Sequence, residues 1–141
     1  MSAVRVVLDN SALTAWLTGD TRAMPVAELI ATIAEEADAL VAVGAHTLVA
    51  AYRPTAAKER ARLVRLINDP RRPVAALPLL AADMPALVEV AESLPEATTP
   101  GAGPDPHAVL IARDHDAYLA TYAADGASRV LDGDQIIDLR T

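Results

Sequence analysis

The chain has 141 residues, of which 52% are hydrophobic and 22% are charged, a balance that fits one folded domain and excludes bulk disorder. It has no cysteine, which excludes disulfides, thiol catalysis and cysteine-bound metal sites, and no apolar run is long enough to predict a membrane span. The net charge of −7 is unevenly distributed, since residues 53–72 have seven basic and two acidic side chains while the remainder has five basic and seventeen acidic ones.

The first part of the chain predicts strands that alternate with helices. Its first residues lack the basic-then-apolar layout of an export signal, so we expect a cytoplasmic protein. A continuous apolar run predicts a buried strand at 4–8, and Asp9, Asn10 and Ser11 follow it as candidate caps of a helix that Gly19 ends. The next predicted elements are a helix beginning at Pro25, a strand at 39–43 and a short helix at 46–52.

The second part continues the alternation. Thr55 predicts the N-cap of a helix that ends at Asp69-Pro70, and Asp105 before Pro106 is typical of a helix start. The other predicted elements are a strand at 74–79, a helix opened by Asp83 and Pro85, an open loop at 95–104, a strand at 118–121, a turn at Asp125-Gly126, and closing strand material at 130–131 and 136–139.

This alternation predicts an α/β fold, a single three-layer α/β/α domain over residues 1–141 with a mostly parallel central sheet. Ligands of such sheets bind outside the carboxyl ends of the strands. The candidate site residues are therefore Asp9 to Ser11, His46, the loop before Asp105, and residues 121–125.

Asp9 and Ser11 have two readings. A carboxylate followed two residues later by a hydroxyl is a compact pair for a hydrated magnesium ion, which prefers oxygen ligands. The same two side chains are also ordinary helix caps. The local sequence favours neither interpretation.

The whole chain resembles a PIN domain, the nuclease module of VapC-type toxins. The resemblance is carried by Val6-Val7-Leu8-Asp9-Asn10-Ser11-Ala12-Leu13, by His46-Thr47-Leu48-Val49-Ala50-Ala51-Tyr52-Arg53, and by the stretch from Ala108-Val109-Leu110-Ile111-Ala112 to Ala120-Thr121. It implies a parallel α/β fold, RNA cleavage with magnesium or manganese held by three or four carboxylates, homodimers, and a cognate antitoxin as protein partner.

The resemblance also implies which residues form the acidic site. Asp9 matches the first acid and Ser11 the hydroxyl beside it. The second acid falls at Ala50 and the fourth at Ala123, neither of which can bind a metal. The third belongs near the start of the helix at 105–112, on Asp105, on His107 or in the loop before them. A metal would thus be held by Asp9 and Asp105.

These substitutions favour an impaired or inactive homologue that acts through protein or RNA binding, because two expected charges are missing. The alternative is an active ribonuclease toxin whose catalytic residues are Asp9, Ser11, Asp105 and Asp125, with Asp125 reaching back from its turn. A third hypothesis is a scaffold that assembles through its basic helix.

The remaining features have ordinary explanations. The basic segment 53–72 is expected to be a solvated helix face or a protein-binding surface, since few aromatic residues interleave with its cations. His107 could transfer a proton near Asp9, although a histidine near a helix start is more often a hydrogen-bonding residue. Trp16 is expected in the core or in a dimer contact.

Overall fold

The computed structural model describes residues 3–53, 55–96 and 102–140. The strands are β1 (Ala3–Leu8), β2 (Ala39–Gly44), β3 (Val74–Leu77), β4 (Tyr118–Thr121) and β5 (Ile136–Asp138). The α-helices are α1 (Asn10–Thr18), α2 (Ala23–Ala34), α3 (Ala45–Tyr52), α4 (Ala57–Asn68), α5 (Met84–Ser93), α6 (Pro106–Asp114) and α7 (Ala124–Ala127), with 3₁₀ turns at Ala81–Asp83 and Gly133–Gln135. Within these ranges, no helix has the length and apolar character that crossing a bilayer requires.

The five strands form one parallel sheet in the order β3-β2-β1-β4-β5. β1 is central because its backbone pairs with both β2 and β4. The chain moves outward from β1 in one direction through β3 and in the other through β5, so the strand order reverses between β1 and β4. The carboxyl ends of β1 and β4 meet at this switch point, which is where such sheets place ligands.

Two apolar cores cover the two faces of the sheet. Val6 and Leu8 of β1 point to one face, where they pack with residues of α1, α2 and α4. Val7 lies between them in sequence and points to the other face, among residues of α5 and α6. This alternation follows from the two-residue period of a strand. The α/β fold with a three-layer arrangement, expected from the sequence, is confirmed.

Three local predictions were wrong. Thr55 does not cap α4, which follows Ala56 without a side-chain cap; the Thr55 hydroxyl instead donates to the carbonyl of Tyr52 at 2.9 Å. Residues 130–131 are not a strand, because their N–H groups donate to the Ala127 carbonyl and extend the turn after α7. The predicted turn at Asp125-Gly126 is α7 itself. Part of the loop predicted at 95–104 lies outside the described residues.

Candidate functional site

The carboxyl end of the sheet brings two carboxylates to the starts of two helices. Asp9 follows β1 and is the N-cap of α1, while Asp105 is the N-cap of α6. Both side chains are buried, with 0% of Asp9 and 7% of Asp105 exposed. The capping function predicted for Asp105 is therefore confirmed, and Asp9, for which the local sequence favoured neither of two interpretations, is also a helix cap.

Three donors occupy the oxygens of Asp9. The Ser11 hydroxyl donates to Oδ1 at 2.6 Å, and the Ala12 N–H donates to the same oxygen at 2.9 Å. The Thr121 hydroxyl, at the end of β4, donates to Oδ2 at 2.5 Å. Thr121 and Ser11 in turn accept the N–H groups of residues 123 and 122, at 2.8 and 2.9 Å. Asp9 thus links the end of β1 to the end of β4.

Asp105 also accepts hydrogen bonds from three donors, which lie on three different helices. Its Oδ1 accepts the N–H of Asn10 at 2.8 Å, across from α1. Its Oδ2 accepts the Thr47 hydroxyl of α3 at 2.5 Å and the Ala108 N–H of its own helix at 3.1 Å. The carboxylate therefore connects the first turns of α1, α3 and α6.

The electrostatics of the pair favour a proton on Asp9. Burial is the main cause that raises the pKa of Asp9, to about 7, and the charge of Asp105 raises it further. The hydrogen bonds from Ser11, Thr121 and Ala12 act in the opposite direction, because they stabilise the charged form. At neutral pH, Asp9 is therefore only partly ionised.

The backbone at Gly103 covers Asp9. A Cβ atom at this position would lie 2.9 Å from Asp9 Oδ2 and 3.1 Å from the backbone N of Ser11. Gly103 also has a φ of +51°, which L side chains rarely adopt. Two features therefore require glycine at this position: its positive φ and the short distance between its backbone and Asp9.

His107 lies beside this pair, but it is built into the fold. It is buried, and its Nδ1 accepts the N–H of His46 at 3.2 Å. A Cβ at Gly44 would lie 2.5 Å from the same Nδ1, so the ring fills the space that glycine leaves at the end of β2. Burial lowers the pKa of His107, which therefore accepts its hydrogen bond as a neutral ring.

Asp125 lies apart from this network. Its side chain is 93% exposed, and its nearest cation is Arg140, with 3.7 Å between Nη2 and Oδ1. At the two positions where the family resemblance expects further acids, Ala50 lies on α3 and Ala123 immediately precedes α7. In the part of the chain that the structure describes, no three His, Asp or Glu side chains are grouped so that they could hold a metal ion.

The sequence identified Asp9, Ser11 and Asp105 and included Thr121 among the candidate residues, but it did not identify Thr47 or the donor role of either threonine. Thr47 and Thr121 are fully buried, and each donates a hydrogen bond to a carboxylate that is distant in sequence. Thr121 ends a predicted strand, and Thr47 lies at the start of the helix predicted after another strand; these positions were the available signal. A hydroxyl among apolar residues there is a candidate donor to a buried acid.

The arrangement leaves each carboxylate oxygen of Asp9 and Asp105 with at least one protein donor. Its evident physical effect is to join the first turns of three helices to the ends of two strands. Comparison with known protein families and with curated proteins gave no match to this chain.

Proposed function

We propose that this chain is a PIN-domain-like protein, similar to VapC toxins, in which the acidic site has become a structural element and the molecule acts by binding a protein. The observation that carries this proposal is the occupancy of Asp9 and Asp105, whose four oxygens accept six protein hydrogen bonds. The proposed location is the cytoplasm.

Metal-dependent cleavage needs free oxygens and negative charge. Of the roughly eight acceptor sites on the four oxygens of this pair, six already accept protein hydrogen bonds, so about two remain for an ion, on Asp9 Oδ2 and Asp105 Oδ1. Magnesium dehydrates reluctantly and depends on charge from its ligands. Two acids offer less charge than the three or four carboxylates that the resemblance implies. The residues present therefore do not fit a catalytic magnesium or manganese ion.

Access to the pair supports the same proposal. Asp9 has no exposed surface, Ser11 is 5% exposed, and the Gly103 backbone lies over the carboxylate. A phosphodiester could reach Asp9 only if the segment containing Gly103 moved away. The alternative of an active ribonuclease would need this movement as well as additional ligands.

A ribonuclease assay tests the loss of cleavage. The wild-type chain is incubated with labelled single-stranded RNA and millimolar manganese or magnesium, beside Asp9→Asn and the surface variant Asp134→Asn. We expect the same background cleavage in all three samples, unchanged by chelation of the metal. Manganese-dependent cleavage that disappears in Asp9→Asn and persists in Asp134→Asn would establish the active ribonuclease instead.

A groove between α3 and α4 supports the binding function. Its cavity of about 300 Å³ is lined mainly by apolar side chains: Leu48, Val49, Tyr52, Leu63, Val64 and Ile67. Val49 and Val64 are about half exposed, at 56% and 49%. Apolar surface concentrated in one groove is typical of a protein-binding site.

The apolar lining of this groove and its basic rim bear on which occupant it can take. Arg53 lines it, and the Arg60 guanidinium lies 4.7 Å from the ring of Tyr52 at its edge. In a symmetric dimer the groove faces its own copy, so the exposed Val49 and Val64 of one chain would be buried against those of the other while the arginines stay at the rim. We therefore propose a homodimer through this groove. RNA is disfavoured because the lining is apolar, and an antitoxin-like protein is the competing occupant.

Sedimentation equilibrium tests the homodimer with two matched substitutions. Val64→Glu places a charge in the groove, whereas Val88→Glu places one at a valine of equal exposure on α5. We expect the wild type and Val88→Glu to sediment as dimers and Val64→Glu as a monomer. A monomeric wild type, or dimers in all three samples, would refute self-association through the groove.

A further inference from the structure

An open cavity lies near the amino end of the sheet, away from Asp9 and Asp105. It is formed by the last turns of α4, by the residues that lead into β3, and by the ring of Trp16 on α1. Its volume is about 310 Å³, and its lining is Trp16, Arg62, Arg65, Asp69, Arg71 and Arg72. Four guanidinium groups and one carboxylate therefore surround one space, in a molecule whose net charge is −7.

Trp16 and Arg62 form the fixed wall of this cavity. The guanidinium carbon of Arg62 lies 4.9 Å from the centre of a Trp16 ring, and that of Arg72 lies 5.8 Å from it. Arg62 also donates from Nη1 to the carbonyl of Leu17 at 2.9 Å and from Nη2 to that of Trp16 at 3.3 Å. Arg62 thus completes the carboxyl end of α1 and contributes charge, while one N–H of each of its Nη atoms is already used.

Arg65, Arg71 and Arg72 supply the available donors. Asp69 faces the Nε of Arg71 at 3.3 Å and the Nε of Arg72 at 3.7 Å. Among the described residues, the Nη groups of these two arginines have no hydrogen-bond partner, and Arg65 has no ion pair. Planar guanidinium groups with free Nη donors suit phosphate oxygens, which they can bind in pairs.

A second cavity adjoins the first and has a different lining. It has a volume of about 240 Å³ and shares Trp16, Arg71 and Arg72 with the arginine-lined cavity. Its other wall is one face of α2, at helical spacing: Ala27, Ile30, Ala31 and Ala34. Small apolar side chains opposite an indole leave a slot that suits a flat, weakly polar group.

We propose that these adjoining cavities bind a nucleoside diphosphate, with the phosphates between Arg65, Arg71 and Arg72 and the base against the alanine face of α2. Charge selects the phosphate end, because the arginines form the concentrated positive surface of an acidic molecule. The shared residues Trp16, Arg71 and Arg72 lie between the two parts, so one ligand can occupy both. This site is independent of the protein-binding function proposed above.

Trp16 is the chain's single tryptophan, so its fluorescence reports directly on this site. The probes are ADP, pyrophosphate, adenosine and a short polyglutamate peptide, each titrated at constant ionic strength. We expect saturable quenching by ADP, weaker binding of pyrophosphate, and no binding of adenosine or of the peptide. Equal affinity for ADP and pyrophosphate would overturn the base-binding part. Tighter binding of the peptide than of ADP, or no saturation by millimolar ADP, would overturn the site.

Four variants locate the binding. Arg65→Ala and the double variant Arg71→Ala/Arg72→Ala should each weaken ADP binding, the double variant by about tenfold or more. Arg53→Ala removes the same charge as Arg65→Ala, but from the groove between α3 and α4, and should change the affinity for ADP less than about twofold. Asp69→Asn should tighten ADP binding, since it frees two guanidinium groups from a competing carboxylate.

Ala31→Leu fills the second cavity and separates its contribution from that of the phosphates. It should weaken ADP binding and leave pyrophosphate binding unchanged. Circular dichroism at the temperature of the titration is the control that every variant is folded. Equal loss of affinity in Arg53→Ala and in Arg65→Ala, which each remove one charge, would mean that ADP senses only the general charge of the segment, and the assigned site would be wrong.

Discussion

Asp9 occupies the position at which the family resemblance expects a metal ligand, but its carboxylate has a structural role. Its carboxylate stands where a metal ligand is expected, directly after β1, and its oxygens accept the hydrogen bonds of Ser11, Ala12 and Thr121. The sequence could predict the cap, because Asp before a helix is a local signal. It could not identify Thr121 as a donor, since that contact joins residues 112 positions apart.

The raised pKa of Asp9 gives a specific dependence of stability on pH. The pKa is about 7 in the native state against an ordinary value of 3.8. Between these two values the native state binds a proton that the unfolded chain has released, so the free energy of unfolding falls as pH rises towards 7 and levels off above it. From pH about 5 to about 8, the loss from Asp9 is on the order of 2 kcal/mol.

Urea unfolding over this pH range checks the prediction. His107 contributes in the opposite direction, because its lowered pKa costs stability as pH falls below 6.5, and this contribution is present in every variant. The difference between wild type and Asp9→Asn therefore isolates Asp9, and Asp134→Asn should follow the wild type. If the free energy of unfolding depended on pH in the same way in wild type and in Asp9→Asn, the raised pKa of Asp9 would be contradicted.

The secondary structure was predictable where an apolar run or a cap was unambiguous, and the predictions failed where a turn used the same residue types. The apolar runs at β1, β2 and β4 predicted strands because each is buried on both faces, and Asp105-Pro106 predicted the start of α6. Thr55 had the sequence of a cap, but its hydroxyl bonds to Tyr52. Residues 130–131 had the composition of a strand, but Leu131 reaches the core from a turn. Burial alone produced the apolar pattern there.

The segment before α6 depends on a glycine that no local pattern explained. A side chain at position 103 would collide with Asp9, and the backbone there has a φ of +51°, which L residues rarely adopt. We expect Gly103→Ala to lower the free energy of unfolding by roughly 2 kcal/mol or more. Gly133→Ala is the matched control, because no atom lies within 4 Å of a Cβ there, and its effect should stay within about 0.5 kcal/mol. Chemical denaturation measures both, and equal effects would mean that Gly103 is not constrained.

The basic residues of the whole molecule are concentrated in one segment. The arginines of segment 53–72 line cavities around α4 and before β3, whereas seventeen of the nineteen acidic residues lie elsewhere in the chain. The sequence could predict this segregation, since it is a count along the chain, and it could predict the parallel sheet from the alternation of elements. It could not show that Trp16 of α1 meets Arg72, because that contact depends on how α1 packs against the end of α4.

The response of the whole molecule to divalent ions tests whether its acidic end retains a metal site. An ion that binds only the native state at a hundredfold excess over its dissociation constant adds about 2.7 kcal/mol, which raises the Tm of a domain of this size by roughly 5–10 °C. Because protein donors already occupy Asp9 and Asp105, we expect millimolar magnesium or manganese to shift the Tm equally in wild type and Asp9→Asn, at matched ionic strength. Differential scanning calorimetry measures this shift. A rise of that size in wild type alone would mean that the ion binds the oxygens of Asp9, and the acidic end would then be a metal site after all.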